Sequence, residues 1–103
     1  MGDFDIGRID DVIHGRMRLG IMAYLADADV ASFNELKSAL QATQGNLSIH
    51  LRKLEDAGYV AILKSFPTRK PLTRARITPA GRKAFAKYLQ AMASLIDKEV
   101  ARP

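Results

Sequence analysis

No cysteine occurs in the chain, which excludes disulfides, zinc–thiolate sites and thiol redox sensing. Histidine is nearly as scarce. His14 and His50 are the only two, with no H-x-x-x-H spacing and no carboxylate pair or nucleophile set beside them. A metal site or catalytic constellation has little to be built from, so no enzyme, no metal and no cofactor are expected. Gly-rich phosphate-binding patterns (G-x-G-x-x-G, the P-loop) are lacking too. No apolar run approaches the roughly 18 residues that span a bilayer, so no membrane partner is expected. Met1 to Asp11 carries Asp3, Asp5, Asp10 and Asp11 and no apolar core run, unlike a signal peptide. A reducing cytoplasm is the expected location.

Acidic residues are scarce in one half only. Residues 1–51 hold four basic and seven acidic side chains, net −3, whereas residues 52–103 hold twelve basic and four acidic, net +8. Between Lys64 and Lys83 there are seven basic residues and no acidic one. Such asymmetry suggests a polyanionic partner, the alternative being a solvated surface that happens to be basic. With 103 residues, 48% hydrophobic and 26% charged, the composition is that of one globular domain over residues 1–103. A chain of this size buries roughly 65% of its unfolded surface, enough to fold alone with little margin.

The chain is organised around Thr43 to Val60, TQGNLSIHLRKLEDAGYV. Leu47, Leu51 and Leu54 fall at i, i+4 and i+7, one apolar stripe. About half a turn away lie Asn46, Ile49, Arg52 and Lys53, a face that can donate hydrogen bonds, carry positive charge and touch a methyl group. Thr43 is a natural N-cap and Gly58 a natural residue for the left-handed turn that ends a helix. Upstream, Ser32 and Glu35 make a capping box that opens a short helix, Asn34 to Leu40. A short helix, a tight turn (Gln41 to Thr43) and a longer helix describe a helix-turn-helix over 32–58. His50 flanks the apolar stripe and reads as a partly buried structural histidine.

Around this centre, Phe4 to Asp27 reads as two helices broken near Gly15, with Ile6, Ile9 and Ile13 on one face (1–28). Ser32-Phe33 offers a brief edge strand. Tyr59 to Ser65 and Thr73 to Ile77 read as strands joined by the proline-bounded loop Phe66 to Leu72, a basic hairpin over 59–77. Thr78-Pro79 opens a last helix, 79–97, about 30 Å long. On it Phe85, Tyr88, Leu89, Met92 and Ile96 recur at helical spacing, with Ala84, Ala91 and Leu95 widening the stripe. The fold class is therefore mainly α (α+β).

The order of these elements, with GNLSIHLRKLEDAGYV followed by KSFPTRKPLTRARITPAGRKAF, resembles compact winged-helix DNA-binding transcriptional regulators of the MarR/ArsR-like type. The likeness runs from about Ile9 to Ile96. It implies a winged helix-turn-helix with a two-stranded β wing and a long C-terminal dimerisation helix. Two departures limit it. ArsR-type metal sensors use cysteine pairs, which are lacking here. MarR proteins have longer dimerisation arms holding a small-molecule pocket; here such a pocket would be smaller or absent, and a small-molecule effector stays unknown. The fold also hosts protein-binding modules that never touch DNA, which is the alternative function.

The expected mechanism has the helix Gln44 to Ala57 in the major groove of double-stranded DNA. Gln44 stands at its N-terminus, where free N–H groups suit a phosphate. Asn46 and Ser48 would reach base edges or phosphates. Ile49 would meet a thymine methyl or, alternatively, pack on the first helix. Arg52 would bind guanine or phosphate, and Lys53 a phosphate. Arg69 and Lys70 at the hairpin tip, with Lys64, Arg74 and Arg76 on its strands, would neutralise phosphates or enter a minor groove. A homodimer is expected through Ile6, Ile9, Ile13, Phe85, Tyr88, Leu89, Met92, Leu95 and Ile96, reading half-sites about 34 Å apart.

Overall fold

The helix ends carry the chain's capping residues, and these set where each element starts. The computed structural model describes residues 5–66 and 69–100, the side chains of 98–100 excepted. In order come a 3-10 turn Ile6–Arg8, then α1 (Arg16–Ala28), β1 (Val30–Ser32), α2 (Phe33–Leu40), α3 (Gln44–Asp56), β2 (Val60–Ser65), β3 (Leu72–Ile77) and α4 (Pro79–Val100).

The centre follows its sequence signals closely. Ser32 Oγ accepts from the Glu35 backbone N–H at 3.0 Å, starting α2. The Glu35 carboxylate turns to Tyr24, accepting a hydrogen bond from its hydroxyl. Thr43 Oγ1 accepts from the Asn46 N–H at 3.2 Å, starting α3. Both helices end in Schellman turns. At the end of α2, Gln41 takes the left-handed conformation (φ 52°), and Ala42 N–H returns to the Lys37 carbonyl at 3.0 Å. At the end of α3, Gly58 does so (φ 81°), with Tyr59 N–H on the Leu54 carbonyl at 2.9 Å. Leu47, Leu51 and Leu54 pack inward with Ile21, Met22, Leu25 and Leu36 into one core. Truncating a fully buried leucine such as Leu47 costs about 2–5 kcal/mol.

The sheet is antiparallel with strand order β1-β3-β2. The edge strand is Val30–Ser32, starting two residues before the expected Ser32-Phe33 and ending at Ser32, and Ala31 pairs with Ala75. On the other side Val60 pairs with Ile77 and Ser65 with Leu72, so β2 and β3 form a hairpin six residues long on each arm. Pro67 and Thr68 of its loop lie outside the described residues.

The N-terminal reading needs correction. The break near Gly15 is there, but among the described residues α1 is the one α-helix before Asp29, and the stretch carrying Ile6, Ile9 and Ile13 is a 3-10 turn followed by irregular chain despite its helical spacing. Asp10 competes with the helix by bonding locally. Its carboxylate accepts from the Val12 and Ile13 N–H groups (2.8 and 3.4 Å) and from the Tyr59 hydroxyl at 2.6 Å. Arg18 then clamps the segment from α1, donating through Nε to the Val12 carbonyl at 2.5 Å. Ile9 and Ile13 enter the core from this irregular stretch, while Ile6 remains 75% exposed.

α4 is bolted to the end of α3 by the T-P-A-G sequence. Thr78 Oγ1 accepts from Gly81 N–H at 2.9 Å and donates to the Gly58 carbonyl at 2.6 Å. Thr78 N–H donates to the Tyr59 carbonyl at 3.0 Å. At Gly81 the helix passes so close that an added Cβ would stand 2.1 Å from the Tyr59 carbonyl oxygen. From this anchor α4 runs 22 residues, about 33 Å. The radius of gyration, 15.7 Å, exceeds the ~13 Å of a compact chain of this length, in keeping with a projecting helix.

Candidate nucleic-acid interface

Rotation of 100° per residue divides the surface of α3 into two flanks and an outward ridge. Ile49 stands on the ridge and is 57% exposed, so it does not pack on the first helix. Gln44, Ser48 and Arg52, spaced four apart, turn to one flank. They line a groove of about 400 Å³ whose far wall is the hairpin: Ile62, Lys64, Pro71, Leu72 and Thr73. Gln44, Ser48 and Arg52 of the helix and Lys64 and Thr73 of the hairpin thus line one groove. Glu55 closes the groove at the C-terminal end of α3, one turn beyond Arg52, and the N-terminal half supplies the uncharged hydrogen-bonding groups of Gln44 and Ser48.

Asn46 and Lys53, expected on the same face, turn to the opposite flank. Asn46 lines a hollow of about 390 Å³ with Gly15, Arg16, Thr43 and His50. Lys53 borders a shallow depression with Asp11, Arg18 and Asp56. The lone outer face read from spacing is therefore two faces separated by Ile49.

Strand register sorts the hairpin's cations in the same way. Lys64 pairs with Thr73 and Ile62 with Ala75, whose side chains share the core-facing side of the sheet. Arg74 pairs with Leu63 and Arg76 with Ala61, placing both arginines on the other side, turned away from α3. Arg76 moreover lies 3.8 Å from the Asp29 carboxylate, which also holds Arg82 at 2.8 Å. These pairs are half exposed and each is worth at most about 1 kcal/mol, but they draw Arg76 to the base of the hairpin. Arg69 and Lys70 are exposed at its tip.

His50 is half buried, and its Nδ1 accepts from Arg18 Nη1 at 3.0 Å. Burial first, then the neighbouring charges of Arg18 and Lys53, holds its pKa below the usual imidazole value. It is a neutral structural acceptor, as its place beside the stripe suggested. Tyr59 is shifted the other way, to about 12, chiefly by donating to Asp10, with burial and the Asp10 charge adding to it.

The residues expected to dimerise also divide. Ile9, Ile13, Phe85 and Tyr88 are buried in the chain's own core, Tyr88 donating to or accepting from His14 Nδ1 at 2.8 Å. They are core residues, unavailable to a second chain. Leu89 (49%), Ile96 (53%) and Ile6 remain exposed, and Met92 and Leu95 are partly covered. Sequence reasoning passed over Arg16, Arg18 and Asp10. Asp10 had a signal in its Asp-Asp pair within an apparent helix; the two arginines had none beyond their charge.

A helix-turn-helix followed by a basic β hairpin that flanks the second helix defines a winged helix. The family model for the winged helix DNA-binding domain matches residues 17–96, and the chain belongs to that family. An uncharacterised protein of Methanocaldococcus jannaschii is 38% identical over 78 residues, 76% of this chain and 85% of that protein. A solved transcriptional regulator homologue from Pyrococcus horikoshii OT3 superposes with a TM-score of 0.87 at 31% identity. The match covers 95% of this chain and 97% of that one. A MarR family transcriptional regulator from Silicibacter pomeroyi matches with a TM-score of 0.67 at 21% identity, over 87% of this chain and 60% of the longer one. At that identity the likeness speaks for the fold alone. The family is one of regulator-like DNA-binding domains, typically non-enzymatic. Among the described residues no helix is long and apolar enough to cross a membrane.

Proposed function

We propose that the protein is a sequence-specific transcriptional regulator that binds double-stranded DNA as a homodimer on a pseudo-palindromic operator. The observation that carries the reading is the shared groove, in which Gln44, Ser48 and Arg52 of α3 face Lys64 of the wing. With α3 in the major groove, Ser48 and Arg52 reach base edges and Ile49 meets a thymine methyl. Gln44 sits where the first turn of α3 meets a phosphate. Asn46 and Lys53 serve the backbone on the other flank. Lys64, Arg69 and Lys70 follow the neighbouring backbone and minor groove. Arg74 takes a backbone position from the wing's far side, and Arg76, drawn to Asp29, is left out.

Dimerisation falls to the exposed part of α4. Leu89, Met92 and Ile96 lie at i, i+3 and i+7, offset from the buried stripe of Tyr88 and Ala91, with the partly covered Leu95 one residue before Ile96. A second copy would remove these apolar side chains from water. Analytical ultracentrifugation at micromolar concentration should give a dimer, and Leu89→Glu with Ile96→Glu a folded monomer. A monomeric wild type would refute this part.

The DNA reading is tested by gel shift on random duplexes, followed by selection. Retention should fall steeply with salt, and one sequence should be enriched. Arg69→Ala with Lys70→Ala should weaken binding to all sequences alike and lower the salt slope by about two. No retention of any duplex even at low salt would favour a protein-interaction module instead.

A further inference from the structure

We infer that Arg16, at the start of α1, is a DNA-phosphate contact, holding the backbone strand on the flank of α3 that faces away from the wing. The inference rests on the DNA-binding reading and extends it to residues outside the helix-turn-helix and the wing.

A helix with side chains is about 10–12 Å across, and the major groove is about 12 Å wide. An inserted α3 therefore meets a backbone on each flank. The wing flank is supplied with Lys64. On the opposite flank α3 itself offers Asn46, His50 and Lys53. Gly15 to Arg18, a segment outside the helix-turn-helix, lines a hollow of about 390 Å³ together with Asn46 and His50 of α3 and the turn from Leu40 to Thr43. No acidic side chain lines it. Arg18 cannot serve as the mobile cation there, because its guanidinium is bonded to the Val12 carbonyl and His50 Nδ1. Those bonds fix the wall instead. Arg16 is exposed at the rim of the same hollow, and Asn46 stands at the first turn of α3, on the other rim. A phosphate over the hollow would lie between the guanidinium of Arg16 and the amide of Asn46. Its charge, size and position continue the surface proposed for α3, so the occupant that fits is the DNA backbone.

The test uses the full chain and a selected operator duplex, read by fluorescence anisotropy across a salt series. Arg16→Ala should weaken binding roughly three- to tenfold on specific and non-specific duplexes alike, and lower the salt slope by about one. Arg16→Lys should keep the slope. Both variants should melt with the wild type, since the side chain is exposed. Duplexes carrying one neutral methylphosphonate at a time supply the second readout. At one position, on the strand away from the wing, the modification should weaken the wild type but not Arg16→Ala, as expected when both changes delete one contact. Unchanged affinity and slope in Arg16→Ala would overturn the inference while leaving the wing and α3 intact. So would a weakened Arg16→Ala with no such position. A wild type that binds no duplex would overturn the DNA-binding reading itself.

Discussion

Replacing Gly81 by alanine should unhinge α4 from the winged domain. The new Cβ would stand 2.1 Å from the Tyr59 carbonyl oxygen and 2.9 Å from its carbon, both backbone atoms with no rotamer to escape into. Restoring ordinary contact, 3.4 Å or more, demands a shift of α4 against Tyr59 of about 1 Å. That shift pulls on the Thr78 bonds to the Gly58 and Tyr59 carbonyls, 2.6 and 3.0 Å long. Overpacking costs about 1–3 kcal/mol, and two weakened hydrogen bonds about 1–2 more. Alanine returns at most about 1 kcal/mol of helix propensity. The net expectation is about 2–3 kcal/mol lost, or a melting temperature roughly 10–20 °C lower for a domain of this size. Circular dichroism melts of Gly81→Ala against wild type measure it. A variant that melts at or above the wild-type temperature would refute the close approach, and with it the account of how α4 is launched.

Other positions give further expectations. Gln41→Gly should stabilise by up to about 1 kcal/mol in urea titrations, because glycine carries no Cβ penalty at φ 52°. The Tyr59 phenol, raised to about 12, favours the folded state fully below pH 10, and that contribution is lost as pH rises from 10 toward 12. One of the three tyrosines should therefore titrate near 12 by ultraviolet absorbance in wild type, and the late titration should vanish in Asp10→Asn. His50, whose pKa is lowered, contributes fully above its unfolded value of 6.5, and stability should decline as pH falls below that. His50→Gln should flatten this decline in denaturant melts between pH 7 and 5, whereas an unchanged slope would show that another group carries it.

The helix-turn-helix was legible because its boundaries are written in local chemistry. Ser32, Thr43 and Thr78 each cap a helix by accepting from a backbone N–H three residues on, and Gly58 ends one by its left-handed φ; local devices of this kind need no knowledge of the fold. The wing's existence was legible for the same reason, from a glycine before it and two prolines in its turn. Which side of it each cation occupies was not. Lys64 and Arg74 differ in parity only once the register Lys64 with Thr73 is known, and register is a property of the pair of strands. Likewise the 3.6-residue period of α4 gathers Phe85, Tyr88, Leu89 and Ile96 into one broad stripe. It cannot say where the chain's own core stops and an exposed strip begins; burial divides Tyr88 at 2% from Leu89 at 49%. At the N-terminus three isoleucines at helical spacing outweighed Asp10, whose carboxylate finds backbone partners that a helix would have denied it. Ile49 had two readings in sequence, and only its position on the ridge between the two flanks separates them.

On the proposed reading α3 and the wing engage adjacent grooves of one half-site together. The lack of native cysteine allows it to be tested by attaching a hydroxyl-radical cleavage reagent at single positions, Ser48→Cys on α3 and Ser65→Cys on the wing. Bound to a selected operator, the first should cut within the major groove of each half-site. The second should cut in the adjoining minor groove, about half a turn, some five base pairs, away. Cleavage from Ser48→Cys with none from Ser65→Cys on the same half-site, or diffuse cutting from both, would contradict the account.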